Sequence, residues 1–280
     1  YASLGAEVTV LARSGLLGSV EPFAAGLVAE GLRALGVDVR TGVVTKSVAR
    51  DADGVTVSTD GGDVRAVEIL VATGRTPRSG DIGLETVGLP AGRWIRTDDT
   101  LCVPGVDWLY AVGDVNGRVL LTHQGKYQAR AAGDVIAARA KGEPVDDARW
   151  GRHVATADHA AVPQVVFSEP EVAAVGLTAA AAREAGHRVR EVEVEFSSVA
   201  GASLHADGYQ GRAHMVVDED RQVLLGVTLA GSDVAELIHA ATIAVVGEVP
   251  LSRLWHAVPS YPTMSEVWLR LLEAYGRASA

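Results

Sequence analysis

At 280 residues, with 48% hydrophobic and only 5% aromatic side chains, the chain has the composition of a globular protein of about two domains, long enough to bury a sizeable core. Its formal net charge of -10, without a cluster of Lys or Arg on any predicted face, argues against nucleic acid or an anionic membrane as the main partner. The single cysteine, Cys102, excludes a structural disulfide framework and a cysteine-based zinc site within the chain, and makes a reducing, cytoplasmic setting the expectation.

The first residues, Y-A-S-L-G-A-E-V-T-V-L, lack Met and the regions of a signal peptide; they read as a helix end passing through Gly5 into a strand, so the chain is expected to begin inside a domain. A strand over 7–12 is followed by a helix from Pro22 to about Leu35, with Phe23, Leu27, Val28, Leu32 and Leu35 as its apolar stripe. Gly36 ends that helix and a strand opens at Val37. Three β-branched runs, 43–48, 54–59 and 64–71, separated by D-A-D-G and D-G-G, predict an antiparallel meander.

The near-continuous apolar run I-L-V-A-T-G, Ile69 to Gly74, predicts a buried strand that stops where backbone approaches something closely. A second such run, W-L-Y-A-V-G-D, spans Trp108 to Asp114, and an alanine-rich helix is expected over 123–140. After the polar connection K-G-E-P-V-D-D, the last 120 residues or so alternate strands (164–167, 188–195, 211–217, 222–230) with helices (178–185, 233–246), the pattern of a separate α+β domain. A final amphipathic helix carries Met264, Val267, Trp268, Leu271, Leu272 and Tyr275 on one stripe, with Thr263 and Glu266 at capping-box spacing. No apolar run reaches the roughly eighteen residues of a membrane span.

Taken in order, A-T-G-R-T-P, L-Y-A-V-G-D, V-P-Q-V-V-F-S-E-P-E-V-A-A-V-G-L-T, L-L-G-V and Y-P-T-M-S-E resemble the pyridine nucleotide-disulfide oxidoreductases, the flavoenzyme family of lipoamide dehydrogenase, glutathione reductase and mercuric reductase. The resemblance runs from residue 1 to about 275. It implies an α/β fold: a partial Rossmann-like NAD(P) domain over 1–73, lacking its first strand and glycine turn, the C-terminal part of an FAD domain over 74–150, and an α+β dimerisation domain over 158–280. It also implies a homodimer, FAD, and a redox-active Cys pair upstream of residue 1; the chain as given would then be an inactive fragment of the enzyme.

In such nucleotide domains an acid at the end of the second strand binds the ribose 2'-OH, whereas a basic group nearby accommodates a 2'-phosphate. V-T-V-L-A-R offers Ala12 and Arg13 there, which favours NADP(H) over NAD(H), although a surface Arg beginning a loop is the plain alternative. By the resemblance, Gly74 lets backbone pass close to the nicotinamide nucleotide, and Gly113 and Asp114 end the strand at the flavin, Asp114 accepting hydrogen bonds from the ribityl chain. A loop Asp taking its own backbone N–H is the other option for Asp114. Leu120, Leu121, Thr122 and His123 match the family stretch beside the flavin, where a helix start aims its positive end at the isoalloxazine ring and His123 contributes its backbone.

Tyr261 stands where lipoamide dehydrogenase and glutathione reductase have the His of His-Pro-Thr, lent by the partner subunit as acid and base. Unperturbed Tyr and His differ by about 3.5 pKa units, near 5 kcal/mol, so the phenol is a poor base at neutral pH and a competent hydrogen-bond donor. Mercuric reductase also has Tyr there, but this sequence closes A-Y-G-R-A-S-A without a vicinal Cys pair, so mercury is not the expected substrate. Glu266 has two open roles, orienting residue 261 or capping the last helix. His256 and the other histidines are expected to be structural or solvent-facing, and no metal site is expected.

Three functions follow: NAD(P)H oxidation through flavin onto a disulfide-type acceptor; a diaphorase or quinone reductase without dithiol chemistry, in which Tyr261 shapes the pocket of a small acceptor; and a non-catalytic flavin-binding dimerisation fragment. Tyr261 and Glu266 are the candidate catalytic residues.

Overall fold

The computed structural model describes residues 1–277, so the last three residues of A-Y-G-R-A-S-A lie outside the described residues. The chain forms two compact units: Tyr1–Leu70 together with Pro163–Ala280, and Val71–Val162.

In the first unit, β1 (Thr9–Ala12) and β2 (Asp38–Thr41) pair in parallel, joined by α1 (Pro22–Ala34). Proline at the start of α1 costs nothing, because its missing N–H would have no intrahelical partner there. The expected meander follows as β3 (Thr45–Asp51), β4 (Gly54–Thr59) and β5 (Gly62–Ala66), all antiparallel.

The expected strand at Ile69 to Gly74 does not form. No described strand lies alongside to take its backbone hydrogen bonds, and Leu70 and Val71 are 76% and 69% exposed. An apolar run specifies a strand only where a neighbour supplies the ladder.

The second unit holds β6 (Cys102–Val103) paired with β7 (Val106–Tyr110), the 20-residue α2 (Thr122–Lys141), and the short α3 (Ala157–Ala160). β7 is shorter than the predicted run and one-sided: Trp108 is exposed, while Ala111 joins Leu84, Ile95 and Val103 in a small core. Ala131, Ala132 and Val135 of α2 are buried, the first two with Leu101 and Ala155.

The chain then returns to the first unit with a five-stranded antiparallel sheet in the order β10-β11-β12-β9-β8. Its strands are β8 (Gln164–Val166), β9 (Glu171–Gly176), β10 (Val189–Glu195), β11 (Gly211–Asp218) and β12 (Val223–Gly231). Strand β9 was not predicted from the sequence, yet it lies beside β12, which is buried along its whole length. Helices α4 (Ala179–Glu184), α5 (Ala200–His205), α6 (Ile238–Val246), α7 (Leu251–Leu254) and α8 (Val267–Tyr275) complete the unit.

α1 packs against this sheet: its Ala24 and Val28, with Val20 just ahead of the helix, pack with Val172, Ala174 and Ala230, flanked by Phe23, Leu27 and Leu32. Leu35, predicted on the stripe, is exposed. A Cβ at Gly31 would stand 2.1 Å from the Glu169 carbonyl, so this contact requires a residue without a side chain. Residues 1–70 and 163–280 thus share one core.

Candidate functional site

The candidate residues fall in both units and are taken separately. In the second unit, β7 runs through Ala111 and Val112 into Gly113, which turns with φ 75° and ψ -161°, a combination essentially reserved for glycine. A 3-10 turn over Asp114–Asn116 follows, and Asp114 points its carboxylate to solvent. Asp114 lies one residue past Gly113, the N-cap of this turn, and its side chain is more than half exposed.

Helix α2 begins directly opposite. Leu121 is its N-cap, extended and without a side-chain cap hydrogen bond, at the positive end of a five-turn dipole. Gly125, on that first turn, brings the helix against the 113 turn; a Cβ on it would lie 3.1 Å from the Cα of Gly113.

The A-T-G-R-T-P segment reaches the same place through Arg75, which donates from Nη1 to the Leu120 carbonyl at 2.6 Å and lies 3.7 Å from Asp114 Oδ2. Gly74, exposed with φ 137°, precedes it. Arg75 thus ties the segment after Gly74 to Leu120 and to the Asp114 turn, and the Gly113–Gly125 approach sets that turn against the start of α2.

Beneath them lies a polar network that the sequence did not announce. Gln128, fully buried, accepts at Oε1 from the Gly113 N–H and from Asn116 Nδ2, both at 2.8 Å. Its Nε2 donates to Asp158 Oδ2 at 2.9 Å, Gln124 Nε2 donates to Asp158 Oδ1 at 3.0 Å, and Arg118 Nε donates to Asp158 Oδ2 at 2.8 Å. Arg118 also donates to Asp99 Oδ1 at 2.8 Å, where His159 Nε2 approaches to 2.7 Å. Burial pulls the Arg118 guanidinium down, but Asp99 and Asp158 outweigh it and hold its pKa above the ordinary value. Burial raises Asp99, yet His159 and Arg118 bring its carboxyl below the usual range. Glutamines at 124 and 128 share a helix face, and that spacing was the only signal available.

Cys102 is buried, with Arg139 Nη1 3.5 Å from its sulfur. Among the described residues no group of three or more His, Cys, Asp or Glu is placed to hold a metal, and no helix is long and apolar enough to cross a membrane.

In the first unit, Arg13 follows β1 on the surface and makes no ion pair or hydrogen bond with any described residue. Tyr261 is 78% exposed and likewise contacts no described polar group. Glu266 is buried, and its Oε2 accepts from the Thr263 N–H at 3.4 Å, completing the predicted capping box ahead of α8. The cap therefore holds, and the carboxylate is turned into its own helix start.

Comparison with known proteins agrees with these motifs. Residues 1–134 match the family described as pyridine nucleotide-disulphide oxidoreductase, and residues 162–272 match its dimerisation domain. The chain is similar to the dihydrolipoyl dehydrogenase of Bacillus subtilis (strain 168), 29% identical over 280 residues that cover 98% of this chain and 56% of the relative. It is 32% identical over 289 residues to that of Haloferax volcanii, covering 99% and 57%. Among solved structures, the HOCl-induced flavoprotein disulfide reductase RclA from Escherichia coli superposes with a TM-score of 0.80 at 26% identity, over 97% of this chain and 60% of that one. LpdA from Mycobacterium tuberculosis, with a TM-score of 0.81 at 24% identity over 99% and 58%, shares the fold. The chain spans a little over half the length of these curated relatives.

Proposed function

Because the chain belongs to the pyridine nucleotide-disulphide oxidoreductase family, we propose that the full-length protein passes electrons from a nicotinamide nucleotide through FAD to a disulfide-type acceptor. The division into 1–73, 74–150 and 158–280 goes with this reading, as does a homodimer built on the matched dimerisation domain.

The observation that carries the flavin part is the pairing of an outward carboxylate, Asp114, with the uncapped start of α2, held together by the Gly113–Gly125 approach. The donor set fits the group. Asp114 would accept hydrogen bonds from the ribityl hydroxyls, and the first N–H groups of α2 would face the electron-rich end of the ring system. Arg75 would keep the Leu120 carbonyl and the Asp114 carboxylate at fixed separation. Bound FAD supplies the hydride-accepting and electron-passing chemistry. The helix end favours negative charge developing beside it, by about 0.3–1 kcal/mol at an exposed site and more where water is excluded.

Arg13, exposed and unpaired at the end of β1, favours NADPH over NADH, since its guanidinium is available for a 2'-phosphate. Tyr261 would stand in the partner subunit's flavin site as a hydrogen-bond donor, and Glu266 would serve the helix cap. A diaphorase or quinone reductase is the second reading, favoured by one observation: the position where relatives keep a base holds a phenol.

The test is direct. Full-length protein should purify yellow, with about one FAD per chain, and reduce lipoamide or another disulfide with NADPH. Flavin reduction with quinone turnover and no disulfide turnover would establish the second reading instead; absence of bound flavin would sink both.

A further inference from the structure

We propose that Asp158 is a positioning residue for the flavin site, acting through the side-chain amide of Gln128. The inference rests on the flavin reading of Asp114 and adds a residue that neither the motifs nor the fold assigns.

Asp158 is the hub of the network beneath the 113 turn. Its side chain is 1% exposed, and three donors converge on it, from Arg118, Gln128 and Gln124, all within 3.0 Å. An ionised carboxylate accepts hydrogen bonds and donates none. The amide of Gln128 has an oxygen and a nitrogen of nearly the same shape, so its orientation is decided by its neighbours. With a pure acceptor at 158, Gln128 must turn Nε2 toward it, and that leaves Oε1 facing the Gly113 N–H and Asn116 Nδ2. Asp158 thus fixes which way Gln128 points, and Gln128 fixes the N–H of the glycine whose turn presents Asp114.

Reversed, the amide would put a donor against two donors. The Gly113 N–H would lose its partner in a place that water reaches poorly, and the turn would relax away from the first turn of α2, which now sits within van der Waals reach at Gly125. Gln124, donating to the other oxygen of Asp158, ties the helix start to the same anchor. One buried carboxylate therefore sets both walls of the candidate site, the 113 turn through Gln128 and the start of α2 through Gln124.

Asp158→Asn keeps the shape and removes the constraint. In the full-length protein it should weaken FAD binding about tenfold or more, measured by flavin fluorescence on reconstitution of the apoprotein, at a temperature where circular dichroism shows the fold intact. Gln128→Leu should give a loss of the same order, and the double variant should lose clearly less than the sum of the two, because both act on the 113 turn through one amide while Asp158 reaches the start of α2 through Gln124 as well. The visible spectrum of the flavin that does bind should shift with both variants. Asp134→Asn, which breaks an exposed pair with Arg152, serves as the control with unchanged affinity.

A lowered melting temperature with FAD affinity and spectrum unchanged would make Asp158 merely structural and overturn the proposal, as would fully additive losses in the double variant. If the unsubstituted full-length protein binds no FAD, the flavin reading itself fails and the proposal with it. If that protein binds FAD and Asp158→Asn binds it equally well, the proposal fails alone.

Discussion

Arg75 touches two parts of the site at once: its Nη1 donates to the Leu120 carbonyl at 2.6 Å and stands 3.7 Å from Asp114 Oδ2. Both charged side chains are more than half exposed, so the ion pair itself contributes little to stability, about 0–1 kcal/mol. Its consequence is geometric, because it ties the segment after Gly74 to the turn that bears Asp114. Replacing Asp114 with Ala in the full-length protein should leave the melting temperature nearly unchanged while weakening FAD by roughly tenfold to a hundredfold, the worth of charge-assisted hydrogen bonds. Flavin content per chain after gel filtration reads this out; full retention would remove Asp114 from the flavin site.

Gly125→Ala sets two effects against each other. Alanine in a helix interior is favoured over glycine by about 1 kcal/mol, but its methyl would sit 3.1 Å from the Cα of Gly113 and must push the turn by a few tenths of an ångström. Stability should therefore change by less than about 1 kcal/mol while FAD affinity falls several-fold. A variant that binds flavin normally would show that the close approach has no part in the site.

Much of this site was legible because its motifs end strands and begin helices in places that sequence rules recognise. The helix after Leu121, the Gly113–Asp114 turn and the Thr263–Glu266 cap all depend on residues near one another in the chain. Asp158 and Gln128 were not legible, since nothing local to either says that thirty residues away a partner of opposite hydrogen-bonding sense will be buried beside it. The run Ile69 to Gly74 failed for the converse reason. Its side chains have the pattern of a buried strand, but a strand also needs neighbours, and no described strand pairs with it. Strand β9 was missed because V-A-A-V is short, and only its place between β8 and β12 makes it a strand.

Arg13→Glu should change coenzyme choice. The exposed guanidinium has no partner among the described residues, so its removal costs no internal contact and stability should move by less than about 0.5 kcal/mol. Loss of one charge-assisted contact to a 2'-phosphate, with a repulsive carboxylate in its place, should lower kcat/KM for NADPH by about tenfold or more and leave NADH largely unaffected. An unchanged ratio in steady-state assays would place the coenzyme determinant elsewhere.

Asp218 gives the first unit a pH dependence. Burial raises its carboxyl, but the N–H groups of Arg221 and Asp220 and the His187 ring outweigh burial and hold its pKa below the usual range. A folded-state pKa below the unfolded value, about 4, contributes stability that is present above that value and lost as pH falls through the folded one. Asp218→Asn should cost about 1–2 kcal/mol at neutral pH and flatten the acid limb of stability. Urea titrations of both proteins across the acid range check this; parallel acid limbs would show that Asp218 titrates alike in the folded and unfolded chains.

Tyr261 separates the two enzymatic readings. At 78% exposure, with no polar contact to any described residue, it contributes little to the fold, so Tyr261→Phe and Tyr261→His should each alter stability by less than about 0.5 kcal/mol. Their kinetics should diverge. If the phenol donates a hydrogen bond in the partner's flavin site, Phe should lower kcat about tenfold with KM for the nucleotide unchanged, because the loss falls on the second half-reaction. Histidine supplies a group that titrates near neutrality, about 3.5 units below Tyr, and should raise lipoamide turnover and bring a pH dependence between about 6 and 7. Glu266 is already engaged by the Thr263 N–H, so the introduced imidazole would be oriented less well than a paired one and the gain should stay modest. Turnover equal in all three proteins, in both disulfide and quinone assays, would place residue 261 outside the chemistry altogether.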